Sequence, residues 1–230
     1  MKRPAYNLIF FSGGSTRDNK ELCQKGAELL FQERKPFRVA FVPAESRDSH
    51  GDYAFVKRKL QFLGKVRMKF QAIDKKKLTA KEKKKLFDCD VIYLGGGNTF
   101  YFLYFLQKQK LLPALARFAK KGGVIFGYSA GGIILTPNIV TAYIPSLDAD
   151  ENEIGHTRLK SAGLVDFEFS PHYVSIRSVN KELKDYSRYL KHPIYACADG
   201  AGIIVENGKI HHFVGEVIRF QKGKRRRIST

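Results

Sequence analysis

Gly122-Gly123-Val124-Ile125-Phe126-Gly127-Tyr128-Ser129-Ala130-Gly131-Gly132-Ile133-Ile134-Leu135 decides how this chain is read. An apolar run leads into Gly-Xaa-Ser-Xaa-Gly, and a second apolar run follows. A strand, a tight turn and a helix in that order form a nucleophile elbow. The turn forces Ser129 into a strained backbone position at a strand tip, which exposes its hydroxyl. It also leaves the N–H of Ala130 free to meet a developing oxyanion. Glycines flank the serine because a Cβ at either place would collide with the neighbouring strand or helix.

Outward from this stretch, apolar runs alternate with helix-like segments. Residues 6–11, 37–42, 66–73, 91–94 and 124–126 read as strands, and residues 19–34, 53–62, 79–87 and 99–120 as helices. Thr79 with Glu82 forms a capping-box start. Pro113 splits the last helical stretch near Leu111-Leu112. The alternation predicts a largely parallel sheet with helices on both faces. After Leu135 short β-like runs dominate (139–143, 165–169, 194–197, 202–205, 209–214 and 217–220), with one helix at 180–190. Glu206-Asn207-Gly208-Lys209 reads as a hairpin turn. The expectation is one α/β hydrolytic domain over residues 1–221 and a basic, disordered tail over 222–230.

At 230 residues the chain can bury one large core. No apolar run approaches the ~20 residues that cross a bilayer. Leu8-Ile9-Phe10-Phe11 is too short for a signal-peptide core and reads as the first strand, so a cytoplasmic protein without a membrane partner is expected. Cys23, Cys89 and Cys197 are scattered, which suggests reduced, buried thiols. Net charge is +19, concentrated in the seven lysines of Lys75–Lys85 and in Lys222-Gly223-Lys224-Arg225-Arg226-Arg227. A solvated helix face and a frayed tail account for it. Nucleic acid is not the expected partner, since no RNA-binding aromatic motif or helix-turn-helix pattern accompanies the charge.

Gly95-Gly96-Gly97-Asn98-Thr99 closes one strand and opens a helix. Its backbone N–H groups beside a helix start make an anion or oxyanion site. Together with the serine turn it supplies donors from two adjacent loops, as acyl transfer requires. It matches neither a dinucleotide fingerprint nor a P-loop. A base must reach Ser129. His172, in Phe169-Ser170-Pro171-His172-Tyr173, follows a strand end and leads; His50 and His156 are the alternatives. An orienting acid is expected between serine and histidine, where Asp148, Asp150, Glu151 and Glu153 crowd one loop. No His, Cys and carboxylate cluster has metal-ligand spacing, so neither metal nor cofactor is expected.

Three ordered motifs, Leu94-Gly95-Gly96-Gly97-Asn98-Thr99-Phe100, Gly127-Tyr128-Ser129-Ala130-Gly131 and Ser170-Pro171-His172-Tyr173, make the chain resemble the dipeptidase E and cyanophycinase group of serine peptidases. The resemblance covers nearly the whole chain, from Phe11-Ser12-Gly13-Gly14 to the C-terminal strands. It implies a three-layer α/β sandwich with a mostly parallel central sheet, like the class I glutamine amidotransferases (flavodoxin-like). It implies Ser129 as nucleophile, His172 as base, Asp150 as the acid by gapless counting from His172, and the N–H groups of Gly97 and Ala130 as oxyanion hole. Asn98 and Arg177 become substrate-binding candidates, with Lys181 and Arg188 as other cations nearby. The implied activity is hydrolysis of small peptides, dipeptides with N-terminal aspartate above all, through an acyl-enzyme. A cyanophycinase-like amidase or esterase, and a non-catalytic scaffold binding nucleic acid through its basic surface, are the rival readings. Homodimer formation is left open.

Overall fold

The computed structural model describes residues 6–30, 37–47 and 49–228. The chain runs β1 (Asn7–Phe11), α1 (Lys20–Leu30), β2 (Phe37–Val42), α2 (Ser49–Lys59), β3 (Val66–Phe70), α3 (Ala80–Phe87), β4 (Val91–Leu94), α4 (Thr99–Lys108), α5 (Leu112–Lys120), β5 (Val124–Tyr128) and α6 (Ala130–Ile134). It continues with β6 (Glu168–Ser170), α7 (Arg177–Ser187), β7 (Ile194–Cys197), β8 (Gly202–Glu206), β9 (Lys209–Val214), β10 (Val217–Gln221) and β11 (Lys224–Ile228). The strands form a seven-stranded sheet, β3-β2-β4-β5-β1-β8-β9, and a four-stranded sheet, β11-β10-β7-β6. The first five strands of the large sheet are parallel, and β8 and β9 close it antiparallel. This is a three-layer α/β sandwich of the expected class.

Side-chain alternation along the central strands divides the core in two. Leu8 and Phe10 of β1 face α3–α6 and the small sheet, while Ile9 and Phe11 face α1 and α2. Both faces of the parallel strands are buried, so they read as continuous apolar runs rather than alternating ones. Phe10 packs on Phe167 and Phe169 at ring separations of 5.2 and 5.3 Å, which joins the small sheet to the large one. A third core, with Val179 and Leu183 of α7 against Ile218 and Phe220 of β10, covers the outer face of the small sheet.

One expected strand takes a different form, while the expected break at Pro113 and the expected hairpin are both present. Residues 139–143 hold a single 3-10 turn, Val140–Ala142, rather than a strand. Pro145 and Pro137 bracket it and cannot donate to a ladder. The long stretch 99–120 splits at Lys110-Leu111, with Pro113 inside the first turn of α5, where a missing N–H costs nothing. Of the strands after α6, β8 and β9 extend the large sheet, while β6, β7, β10 and β11 form a separate one. Asn207 and Gly208, both at positive φ, make the β8–β9 turn.

The basic tail is a strand, not a disordered segment. Lys222 and Gly223 at φ 50° and 74° turn the chain back, and β11 pairs with β10 from Val217↔Ile228 to Gln221↔Lys224. The Arg225 guanidinium donates to Asn180 Oδ1 (3.0 Å), Ser175 Oγ (3.2 Å) and the Tyr173 hydroxyl (3.2 Å). Its charge serves an edge strand, where lysine and arginine deter pairing with other chains. Deleting residues 222–230 should cost about 2 kcal/mol, about 4–8 °C in Tm for a domain of this size. An unchanged thermal melt would show that β11 contributes nothing to the fold.

Candidate active site

Five strand ends from both sheets converge. In the large sheet Phe11 is level with Tyr128, and Leu94 with Gly127. The loops after β1, β4 and β5 therefore open side by side. In the small sheet Ser170 is level with Ala196, which brings together the loops after β6 and β7.

Ser129 lies at φ 49°, ψ −114°, the left-handed half of backbone space that a residue with a Cβ rarely adopts. Its N–H donates to Phe11 O at 2.9 Å, and the Gly131 N–H donates to Gly95 O at 3.1 Å. A Cβ on Gly127 would lie 2.6 Å from Gly131 O, and one on Gly131 would collide with Leu94 O. Only glycine allows the turn to fold this tightly against β4. The Gly95–Gly97 turn lies alongside: a Cβ on Gly96 would come 3.6 Å from that of Ser129. Among the described residues the N–H groups of Gly97 and Ala130 have no protein acceptor. The chemistry of two such donors beside a serine suits a tetrahedral oxyanion.

Ser129 Oγ lies 2.8 Å from His172 Nε2. His172 is itself at φ 53°. Its N–H donates to Ser12 Oγ (2.8 Å), which in turn donates to Cys197 O (2.7 Å). The β1 end thus ties the histidine loop to β7.

The partner of His172 Nδ1 is Asp199, at 2.7 Å from Oδ1, and not Asp150. Asp199 follows β7 in Cys197-Ala198-Asp199-Gly200, C-terminal to the histidine and outside the loop expected to supply the acid. Asp150 accepts the Thr99 N–H at the start of α4 (2.8 Å). Burial pushes its carboxyl above the ordinary range, partly opposed by that bond, and His172 is close enough to act on it. Asp148 and Glu151 are exposed. Gly13 completes the arrangement. A Cβ there would collide with both Asp199 Oδ1 and the His172 ring, so the histidine–aspartate pair closes over a bare backbone.

The substrate-binding candidates separate. Asn98 caps α4, its Oδ1 accepting the Tyr101 N–H (3.0 Å), and its Nδ2 donates to Glu151 O (2.7 Å). Its amide is committed within the protein, so its role here is a cap and a tie to the acidic loop. Arg177 opens α7 and is exposed. Of the other histidines, His156 packs on Tyr104, His192 pairs with buried Glu168 at 2.9 Å, and His211 faces Glu206. The His50 side chain lies outside the described residues. Cys23, Cys89 and Cys197 are free and buried. Burial pushes the Cys23 and Cys89 thiols up to about 12, and that of Cys197 up further, so none is poised to attack. Among the described residues no His, Cys, Asp and Glu cluster could hold a metal ion, and no helix is long and apolar enough to cross a membrane.

Residues 8–213 match the model of peptidase family S51. The chain belongs to that family. It is 38% identical over 109 residues to an uncharacterized peptidase of Listeria innocua, a match covering 46% of this chain and 51% of the relative, so it spans about half of that protein's length. It is 26% identical over 222 residues to a Drosophila melanogaster protein named a probable alpha-aspartyl dipeptidase, covering 89% of this chain and 85% of that one. A crystal structure from Listeria monocytogenes EGD-e that carries a Peptidase E name superposes with a TM-score of 0.68 at 25% identity, over 98% of this chain and 100% of the other.

The first prediction concerns the His172–Asp199 pair. A proton held between His172 Nδ1 and Asp199 should give a far-downfield proton NMR signal. Asp199→Asn and Gly13→Ala should each abolish it, and Asp150→Asn should leave it in place. Loss in Asp150→Asn alone would reverse the assignment. The second concerns Lys59, which is 1% exposed and whose ammonium is depressed by burial to about 7. The unfolded chain holds that proton up to the ordinary lysine value near ~10.4. Between these values the unfolded state binds more protons, so stability should rise with pH from 7 to 10. The Tm of Lys59→Met should lack that rise; parallel Tm–pH curves for the two proteins would contradict it.

Proposed function

We propose that this chain is a serine peptidase acting on short peptides through an acyl-enzyme. The observation that carries this reading is the continuous line Ser129 Oγ–His172 Nε2 (2.8 Å) and His172 Nδ1–Asp199 Oδ1 (2.7 Å), beginning at a strained strand-to-helix turn. Ser129 Oγ attacks the scissile carbonyl and its proton passes to His172 Nε2. Asp199 accepts the hydrogen bond from Nδ1–H, fixing the tautomer and stabilising the imidazolium. The N–H groups of Gly97 and Ala130 receive the oxyanion. His172 then gives its proton to the leaving amine. Water, activated by the same imidazole, releases the acid and restores Ser129.

Membership of family S51 supports peptide substrates. The dipeptidase name of the Drosophila melanogaster relative supports short ones with an N-terminal aspartate. Asp150, close enough to His172 to feel its charge and bound at the start of α4, suits the free ammonium of such a peptide. Arg177, five residues beyond His172 in sequence, is the cation for an acidic side chain.

Ser129→Ala should abolish hydrolysis of Asp-Leu while leaving the thermal melt unchanged. Asp199→Asn should lower kcat by roughly 10⁴-fold, the scale set by loss of a triad acid. Asp150→Asn should act chiefly on KM. Full turnover by Ser129→Ala would discard the serine mechanism. Equal cleavage of Asp-Leu and Ala-Leu by the wild type would discard the acidic preference and leave the mechanism standing.

A further inference from the structure

Lys59, the last residue of α2, places its ammonium where nothing in the proposed mechanism uses it. The side chain is 1% exposed, and among the described residues its Nζ has no hydrogen-bond partner. Three aromatic rings enclose it, with centroids at 4.0 Å (Tyr128), 4.6 Å (Phe11) and 5.1 Å (Phe55). Burying an ammonium that makes no hydrogen bond is costly, and ring faces offset only part of that cost. Methionine or leucine would fill the same space at no such cost.

Two of these rings belong to the residues that set the backbone of Ser129. Tyr128 precedes it, and Phe11 O accepts its N–H at 2.9 Å. The Tyr128 hydroxyl donates to Gly14 O (3.3 Å), next to Gly13, over which the His172–Asp199 pair closes. The ammonium therefore lies beneath the elbow, in contact with both strands that hold it. Among the described residues, the charged and titratable groups facing it are Cys23 of α1, whose thiol contacts Lys59 O at 3.9 Å, Tyr128 of β5, and Asp199 beyond β7.

We propose that Lys59 is a positioning residue for the serine site. Its ammonium grips the rings of Phe11 and Tyr128 beneath the nucleophile, and its charge acts on the Asp199–His172 pair from the interior side. This rests on the serine mechanism proposed above. A buried cation favours the Asp199 carboxylate and disfavours the imidazolium, so it keeps His172 neutral, and able to act as base, to lower pH. Burial leaves Lys59 poised near neutrality, at about 7, so it carries its charge below that pH.

The test is the pH dependence of second-order labelling of Ser129 by a fluorophosphonate, in wild type, Lys59→Met and Lys59→Gln. Both variants are neutral, and the second reads the same quantity should the first fold poorly. With the cation removed, the acidic limb should move up by about half a pH unit or more, and labelling at pH 6 should fall about threefold or more. Labelling near pH 8 should change less. A purely space-filling lysine would leave the limb in place, so coincident limbs in wild type and a folded neutral variant would overturn the proposal. Failure of wild type to label at any pH would remove the serine mechanism itself, a result distinct from coincident limbs.

Discussion

The site depends on the backbone of Ser129 being held where a side-chain-bearing residue does not rest by choice. At φ 49°, ψ −114° the position costs on the order of 1–3 kcal/mol. The surrounding structure over-determines it. Its N–H is fixed on Phe11 O, the following glycine on Gly95 O, and the flanking runs Val124–Phe126 and Ile133–Leu135 are buried. His172, at φ 53°, repeats the pattern on the other sheet, held by the relay through Ser12 Oγ to Cys197 O. Both members of the serine–histidine contact thus sit in strained backbone, and each is tied to a neighbouring strand. Their 2.8 Å separation is a property of the scaffold rather than of mobile loops.

That scaffold is two sheets meeting at a seam. The serine and the glycine turn come from the parallel strands of the large sheet, the histidine and Asp199 from β6 and β7 of the small one. Phe10, packed on Phe167 and Phe169, joins the sheets through the core. Gly13 is buried beneath the His172–Asp199 pair, and its missing side chain is what lets the two halves close. A change in sheet packing should therefore reach the chemistry through the His172 loop first.

The sequence made the elbow, the glycine turn and the histidine legible, because each obeys a local rule that needs no long-range information. Glycines frame a tight turn, and functional loops follow strand ends. The partner of His172 Nδ1 is not legible from the chain order that places an acid between serine and histidine, because this fold brings Asp199 from the strand after the histidine. The signal was present in Ala198-Asp199-Gly200 after Ile194–Cys197, a strand end with a glycine, the same context that singled out His172. The tail's charge density suggests disorder, yet Lys222-Gly223 is the same kind of reversal as Asn207-Gly208 and opens a strand. That β6, β7, β10 and β11 form a second sheet while β8 and β9 extend the first is not legible. Strand propensity says nothing about which partner a strand takes.

Two carboxylates lie within reach of His172, and their surroundings give them different work. Asp199, with a side chain 55% exposed, accepts from Nδ1 while facing water. Asp150, bound by the Thr99 N–H and largely removed from water, has its carboxyl pushed up by burial, with Asp148 adding to the push. A buried carboxylate short of hydrogen bonds gains more from an arriving cation than a solvated one does, because less screening solvent lies between them. The carboxylate with the weaker claim on the imidazole is therefore the one better suited to an ammonium group of the substrate. Exchanging the roles would place the desolvated acid on a histidine that must repeatedly become charged, at the expense of the proton's return to the leaving amine.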